Sequence, residues 1–142
     1  MKPITALLLG LAACGAAQAQ DARTCISGTA TLSTALGAQV PPGGTLFVYL
    51  REKGRDRGPP AAVISIKAPS YPQGFMVCGR DQMVTGAPAK ALSGNYRLYA
   101  RHSVSGAPMK DEGYLGTSDG AAGKGVKAGE RVQVEISRPL AK

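Results

Sequence analysis

His102 is the single histidine of this chain, and three internal methionines and a thiol, Met76, Met83, Met109 and Cys78, are the soft donors that could join it. Imidazole with sulfur ligands suits copper, so His102 and Met109 are the candidate copper ligands. A blue-copper centre needs two histidines with cysteine, which this chain does not have. Alternation puts His102 on one face with Tyr96, Leu98 and Ala100, so a buried structural imidazole is the plainer reading. We therefore expect no resident metal or cofactor, with copper binding as the alternative.

Other catalytic constellations are weaker still. Ser103 and Ser105 neighbour His102, but no Gly-x-Ser-x-Gly elbow presents a nucleophile. Asp111 and Glu112 are adjacent and would face opposite sides of a strand, which is wrong for paired acid and base work. Lys124 sits in Gly-Lys-Gly, whereas a phosphate loop needs Gly-Lys-Ser/Thr opening a helix. The expectation is a binding protein, not an enzyme.

Charge supplies the strongest binding signal. The chain carries +8, and Arg51, Lys53, Arg55 and Arg57 recur at every second position. In an extended segment these four cations share a side, forming a docking patch for an acidic partner or anionic lipid head groups. A solvated hairpin tip is the plainer reading, since exposed charges are the usual content of such tips, and the docking patch is the functional alternative. No stacking platform accompanies the charge, so nucleic acid is not an expected partner.

The amino terminus points out of the cytoplasm. Met1, Lys2 and the apolar run from Ile4 to Ala13 form a secretory signal over residues 1–19, with Ala17-Gln18-Ala19 as the cleavage site. Leu11-Ala12-Ala13-Cys14-Gly15 also fits a lipobox, which would place a lipid anchor on Cys14. The run is shorter than the roughly 20 apolar residues a membrane-spanning helix requires. In an oxidising compartment the remaining thiols, Cys25 and Cys78, are expected to form a disulfide. Without Cys-x-x-Cys spacing, a redox or metal role for them is the lesser alternative.

Residues 20–142 then make a single domain. With 19 Gly, 10 Pro, no Trp and two Phe, the composition favours short strands and frequent turns. Alternation is clearest over Thr45 to Arg51, Tyr96 to His102 and Arg131 to Ser137. Further strands are expected over Ile26 to Leu32, Ala61 to Lys67, Gly74 to Cys78 and Gly113 to Thr117. Pro41-Pro42-Gly43-Gly44, Gly58-Pro59-Pro60 and Pro69-Ser70-Tyr71-Pro72 separate them. Ser33 to Val40 could make one helical turn, and residues 106–129 read as a Gly-rich, mobile surface loop around one short strand. About seven short strands imply an all-β fold, an antiparallel β-sandwich of the immunoglobulin-like kind.

The order of these segments resembles a known family. Gly28 to Ser33, Val40-Pro41-Pro42-Gly43, Thr45-Leu46-Phe47-Val48 and Gly58-Pro59-Pro60, followed by Arg101, Gly106, the Gly113 to Gly116 turn and the strand ending at Ile136, are similar to the carboxy-terminal periplasmic domain of the cytochrome c biogenesis factor CcmI/CycH. The resemblance implies a periplasmic, non-catalytic assembly protein in c-type cytochrome maturation, with apocytochrome c or biogenesis factors as polypeptide partners. That factor normally joins this domain to transmembrane helices and tetratricopeptide repeats, which this sequence lacks. Cys25 and Cys78 look like an addition suited to a free-standing domain.

Overall fold

The structure, a computed structural model, describes residues 24–55, 57–83, 92–107 and 112–140. The expected leader with Cys14, together with Met109, lies outside them. Eight strands follow in order: β1 (Ile26–Leu32), β2 (Thr45–Glu52), β3 (Ala62–Lys67), β4 (Gln73–Val77), β5 (Tyr96–Ser103), β6 (Tyr114–Ser118), β7 (Arg131–Ile136) and β8 (Arg138–Pro139). A short 3-10 turn, Gly79–Asp81, follows β4.

Two sheets form, with strand orders β4-β1-β7 and β3-β2-β5-β6-β8. The apolar phase of each strand decides which face turns inward. Ile26, Ala30, Phe75, Val77, Val132, Val134 and Ile136 line the three-stranded sheet, and Leu46, Val48, Leu50, Leu98 and Ala100 line the other. All are buried, so the sandwich has one shared core between two layers. Leu36, inside the hydrogen-bonded turn that follows β1, closes one end of it.

Seven of the strands match the sequence expectation to within about a residue, and β8 is the addition. It exists because the chain leaves β7 at Ser137 and crosses to the other sheet, where Leu115 pairs with Arg138. One pairing is parallel: β1 and β7 run together from Ser27↔Arg131 to Leu32↔Ile136. Strands far apart in sequence need no hairpin to become neighbours, so alternation alone does not reveal their relative direction.

Where β6 meets β7, Gly116 is required by contact. A Cβ there would collide with the Glu135 carbonyl. The Gly-rich segment after β6 is held more tightly than its composition suggests. Val126 pairs with Tyr96 and is fully buried in the core, and Arg97 makes a two-point ion pair with Asp119 at 2.9 and 3.1 Å. Among the described residues no helix is long and apolar enough to cross a membrane.

Candidate functional site

The outward face of the five-stranded sheet is unusual for an antiparallel sheet, whose outer positions are ordinarily polar. β2 sends Phe47, Tyr49 and Arg51 outward, and β5 sends Arg97, Tyr99 and Arg101. Their register pairs Phe47 with Arg101, Tyr49 with Tyr99 and Arg51 with Arg97. The two tyrosine rings stack with centroids 4.9 Å apart and parallel planes. Such a directly opposed aromatic pair ties the central strands together.

The Arg51 guanidinium lies 5.6 Å from the Tyr49 ring centroid and 5.9 Å from that of Tyr99, within cation-π range. It also donates a hydrogen bond to the Gly58 carbonyl, which fixes the side chain over the rings. Burial pushes the Tyr49 phenol above its ordinary value, opposed by the nearby charges of Arg51 and Arg101. Beside this stack is a hollow of about 510 Å³, with Phe47, Tyr49, Val63 and Met83 as apolar walls and Arg51 and Arg101 as cations. Met83 is 51% exposed.

A second hollow, of about 560 Å³, adjoins the first through Arg51. Arg51, Arg55 and Arg57 line it with one carboxylate, Glu52, and with Pro59, Gln82 and Tyr96. The regular stripe expected of four alternating cations is not kept, because β2 ends at Glu52 and the chain turns at Gly54 with φ +94°. That turn sends the Lys53 ammonium across to the Gly123 carbonyl at 2.6 Å, outside the hollow. Arg55 stands 3.8 Å from Glu52, with the two side chains 79% and 57% exposed. An ion pair this exposed holds its partners weakly, so Arg55 can exchange Glu52 for another anion.

The positions singled out by family resemblance lie at both ends of the sheet, Gly58 to Pro60 beyond Glu52 and Gly106 with Gly113 beyond Ser103 at the opposite end. Gly58, Pro59 and Pro60 form the return of the basic hairpin, where Gly58 and Pro59 line the cationic hollow and Pro60 the apolar one. Arg101 lines the apolar hollow and also donates to the Ala107 and Glu112 carbonyls at 3.5 and 3.4 Å. Gly106 and Gly113 take positive φ in the β5–β6 connection, and Gly116 admits the close approach of β7.

The copper and nucleophile readings meet specific geometry. His102 is buried, and its Nδ1 lies 2.6 Å from the Tyr71 hydroxyl. Burial lowers the imidazole pKa and raises that of the phenol. Met76 is exposed between inward-facing Phe75 and Val77, so it points away from the core that holds His102. Cys78 is bonded to Cys25, with sulfurs 2.07 Å apart, and is not a free thiolate. Ser103 and Ser105 hydroxyls both donate to Glu112 Oε1 instead of to the imidazole.

Sequence reasoning found the cations and missed the aromatic face. The signal was present: Leu46-Phe47-Val48-Tyr49-Leu50 is apolar in both phases, so one apolar set had to face outward.

The two-layer arrangement is that of an immunoglobulin-like β-sandwich. The chain belongs to the family of cytochrome c-type biogenesis protein H Ig-like domains, whose family model matches residues 26–137. Among curated proteins none matches. Among solved structures, an alternative pilotin from the type II secretion system of Vibrio cholerae is similar with a TM-score of 0.46 and 16% identity, covering 80% of this chain and 95% of that one.

Proposed function

We propose that this protein is a non-catalytic, periplasmic binding protein of c-type cytochrome maturation, and that it engages polypeptide on the outer face of the five-stranded sheet. The observation that carries this reading is family membership over residues 26–137. The apolar hollow of half-buried Phe47, Tyr49 and Val63 with exposed Met83 supports it, because its remaining apolar surface lowers its free energy when a partner covers it. The partner would be an apocytochrome c segment or another maturation factor.

β3 borders that hollow and is the end strand of its sheet among the described residues. An extended segment beside β3 would add main-chain hydrogen bonds and drop alternate side chains toward the hollow. Such binding gains affinity from backbone groups and apolar contact, and needs no bond-making residue.

The test is a photo-crosslinking residue at Ser65, exposed on β3, with Gln133 on the other sheet as control position. Crosslinking in intact cells from Ser65 should capture apocytochromes or haem-ligation factors. Equal capture from Gln133, or capture of neither class from Ser65, would contradict the proposal.

A further inference from the structure

The two hollows are unlike in chemistry yet contiguous. One is walled by Phe47, Tyr49, Val63 and Met83, the other by Arg55 and Arg57, and Arg51 belongs to both. Arg51 lies along the boundary, its guanidinium held over the tyrosine pair and anchored by the Gly58 carbonyl. A guanidinium has five N–H donors in a planar fork, and that anchoring bond uses few of them. The fork is therefore pre-oriented toward a planar anion at the point where apolar surface gives way to charge.

From this juxtaposition we infer that the ligand is an acidic, aromatic-bearing polypeptide segment, whose large apolar side chain fills the Phe47–Tyr49–Met83 hollow while a neighbouring carboxylate enters the Arg51–Arg55–Arg57 hollow. The inference rests on the polypeptide-binding reading above and specifies the chemistry of the partner. Arg55 would exchange its weak, exposed contact with Glu52 for the incoming carboxylate. Arginine suits this role better than lysine because it can bind a carboxylate through two parallel bonds.

The shape of the site favours peptide over membrane. Arg55 and Arg57 are exposed on the hairpin, but together with Arg51 they border one hollow with Pro59 and Gln82 instead of spreading over a flat surface. A single extended chain can enter such a hollow and place two side chains of one face, two residues apart, in the two compartments. The net charge, +8 for the whole sequence with one of those charges, Lys2, in the expected leader, adds long-range attraction for an acidic segment.

The experiment uses the full chain and a fluorescein-labelled peptide of repeated Phe-Ser-Glu-Ser, which puts Phe and Glu on one face of an extended chain, read by anisotropy. Comparison peptides replace Glu with Gln or Lys, and phosphatidylglycerol vesicles test the membrane alternative. The Glu peptide should bind at least tenfold more tightly than the Gln and Lys peptides, and more weakly as salt rises. Arg55→Glu combined with Arg57→Glu lies on an exposed hairpin and should leave melting unchanged while weakening the Glu peptide at least tenfold. Lys127→Glu, outside both hollows, should leave binding within twofold.

Binding of all three peptides alike, indifference to the arginine reversals, or vesicle binding without Glu-peptide binding would overturn the inference. Peptide failure alongside partner capture at Ser65 would reject the acidic chemistry alone. Peptide success in a protein whose loss leaves cytochromes unchanged would reject the maturation role alone.

Discussion

His102 is buried with its Nδ1 against the Tyr71 hydroxyl, and its other ring nitrogen, Nε2, has no hydrogen-bond partner among the described residues. Its neutral form fits the core beside Tyr71, and burial disfavours its cation. The folded pKa lies below the unfolded value of about 6.5. Above that value both states are neutral and the group has no effect on stability. As pH falls below about 6.5 the unfolded chain takes up a proton first, so stability drops until the folded imidazole also protonates. Urea unfolding between pH 7.5 and 5 should show this decline, and His102→Gln should flatten it. The depressed carboxyl of Asp119, hydrogen-bonded to Arg97, contributes above its unfolded pKa and is lost only at more acid pH, outside that window. The aromatic pair permits a separate test at this scale. A double-mutant cycle of Tyr49→Ala and Tyr99→Ala should return a coupling of about 0.5–1.5 kcal/mol beyond additivity.

At the scale of elements, the strand-crossing at Ser137 and the contact at Gly116 join the two sheets along one side. Gly116→Ala must displace the Glu135 backbone and should cost about 1–3 kcal/mol in chemical denaturation. A cost below 0.5 kcal/mol would show that the contact relaxes freely. On the other side, the Cys25–Cys78 bond spans 53 residues and ties β1 to the end of β4. In the loop-entropy account its removal costs about 4 kcal/mol, measurable by comparing urea midpoints of oxidised protein and the Cys25→Ala, Cys78→Ala double variant.

Much of this element plan was legible in the chain because inward positions such as Leu46, Val48 and Leu50 recur with a period of two. The β1–β7 pairing and β8 were not: the first joins segments about a hundred residues apart, and the second depends on the chain crossing between sheets at Ser137, which alternation does not encode. Val126 was hidden for a related reason. Its Gly-rich surroundings suggested a surface loop, while its bridge to Tyr96 places it in the core. The site divides in the same way: alternating cations announced themselves, but the Gly54 turn and the hollow they line arise only on folding.

For the whole molecule, the sandwich carries one half-buried face of aromatic and cationic side chains on its five-stranded sheet. Its core takes the inward phase of β1, β2, β4, β5 and β7, leaving Phe47, Tyr49 and Tyr99 outward beside arginines. That arrangement resembles interface chemistry, in which buried aromatic and arginine anchors dominate affinity. It also separates stability from binding: the exposed hairpin arginines can be changed without disturbing the core. The most direct measurement is the level of haem-stained c-type cytochromes in cells lacking this protein, complemented with the wild type or with Arg55→Glu, Arg57→Glu. The account predicts reduced cytochromes in the deletion, recovery with the wild type, and poor recovery with the arginine variant at equal protein level. Unchanged cytochromes in the deletion would contradict it.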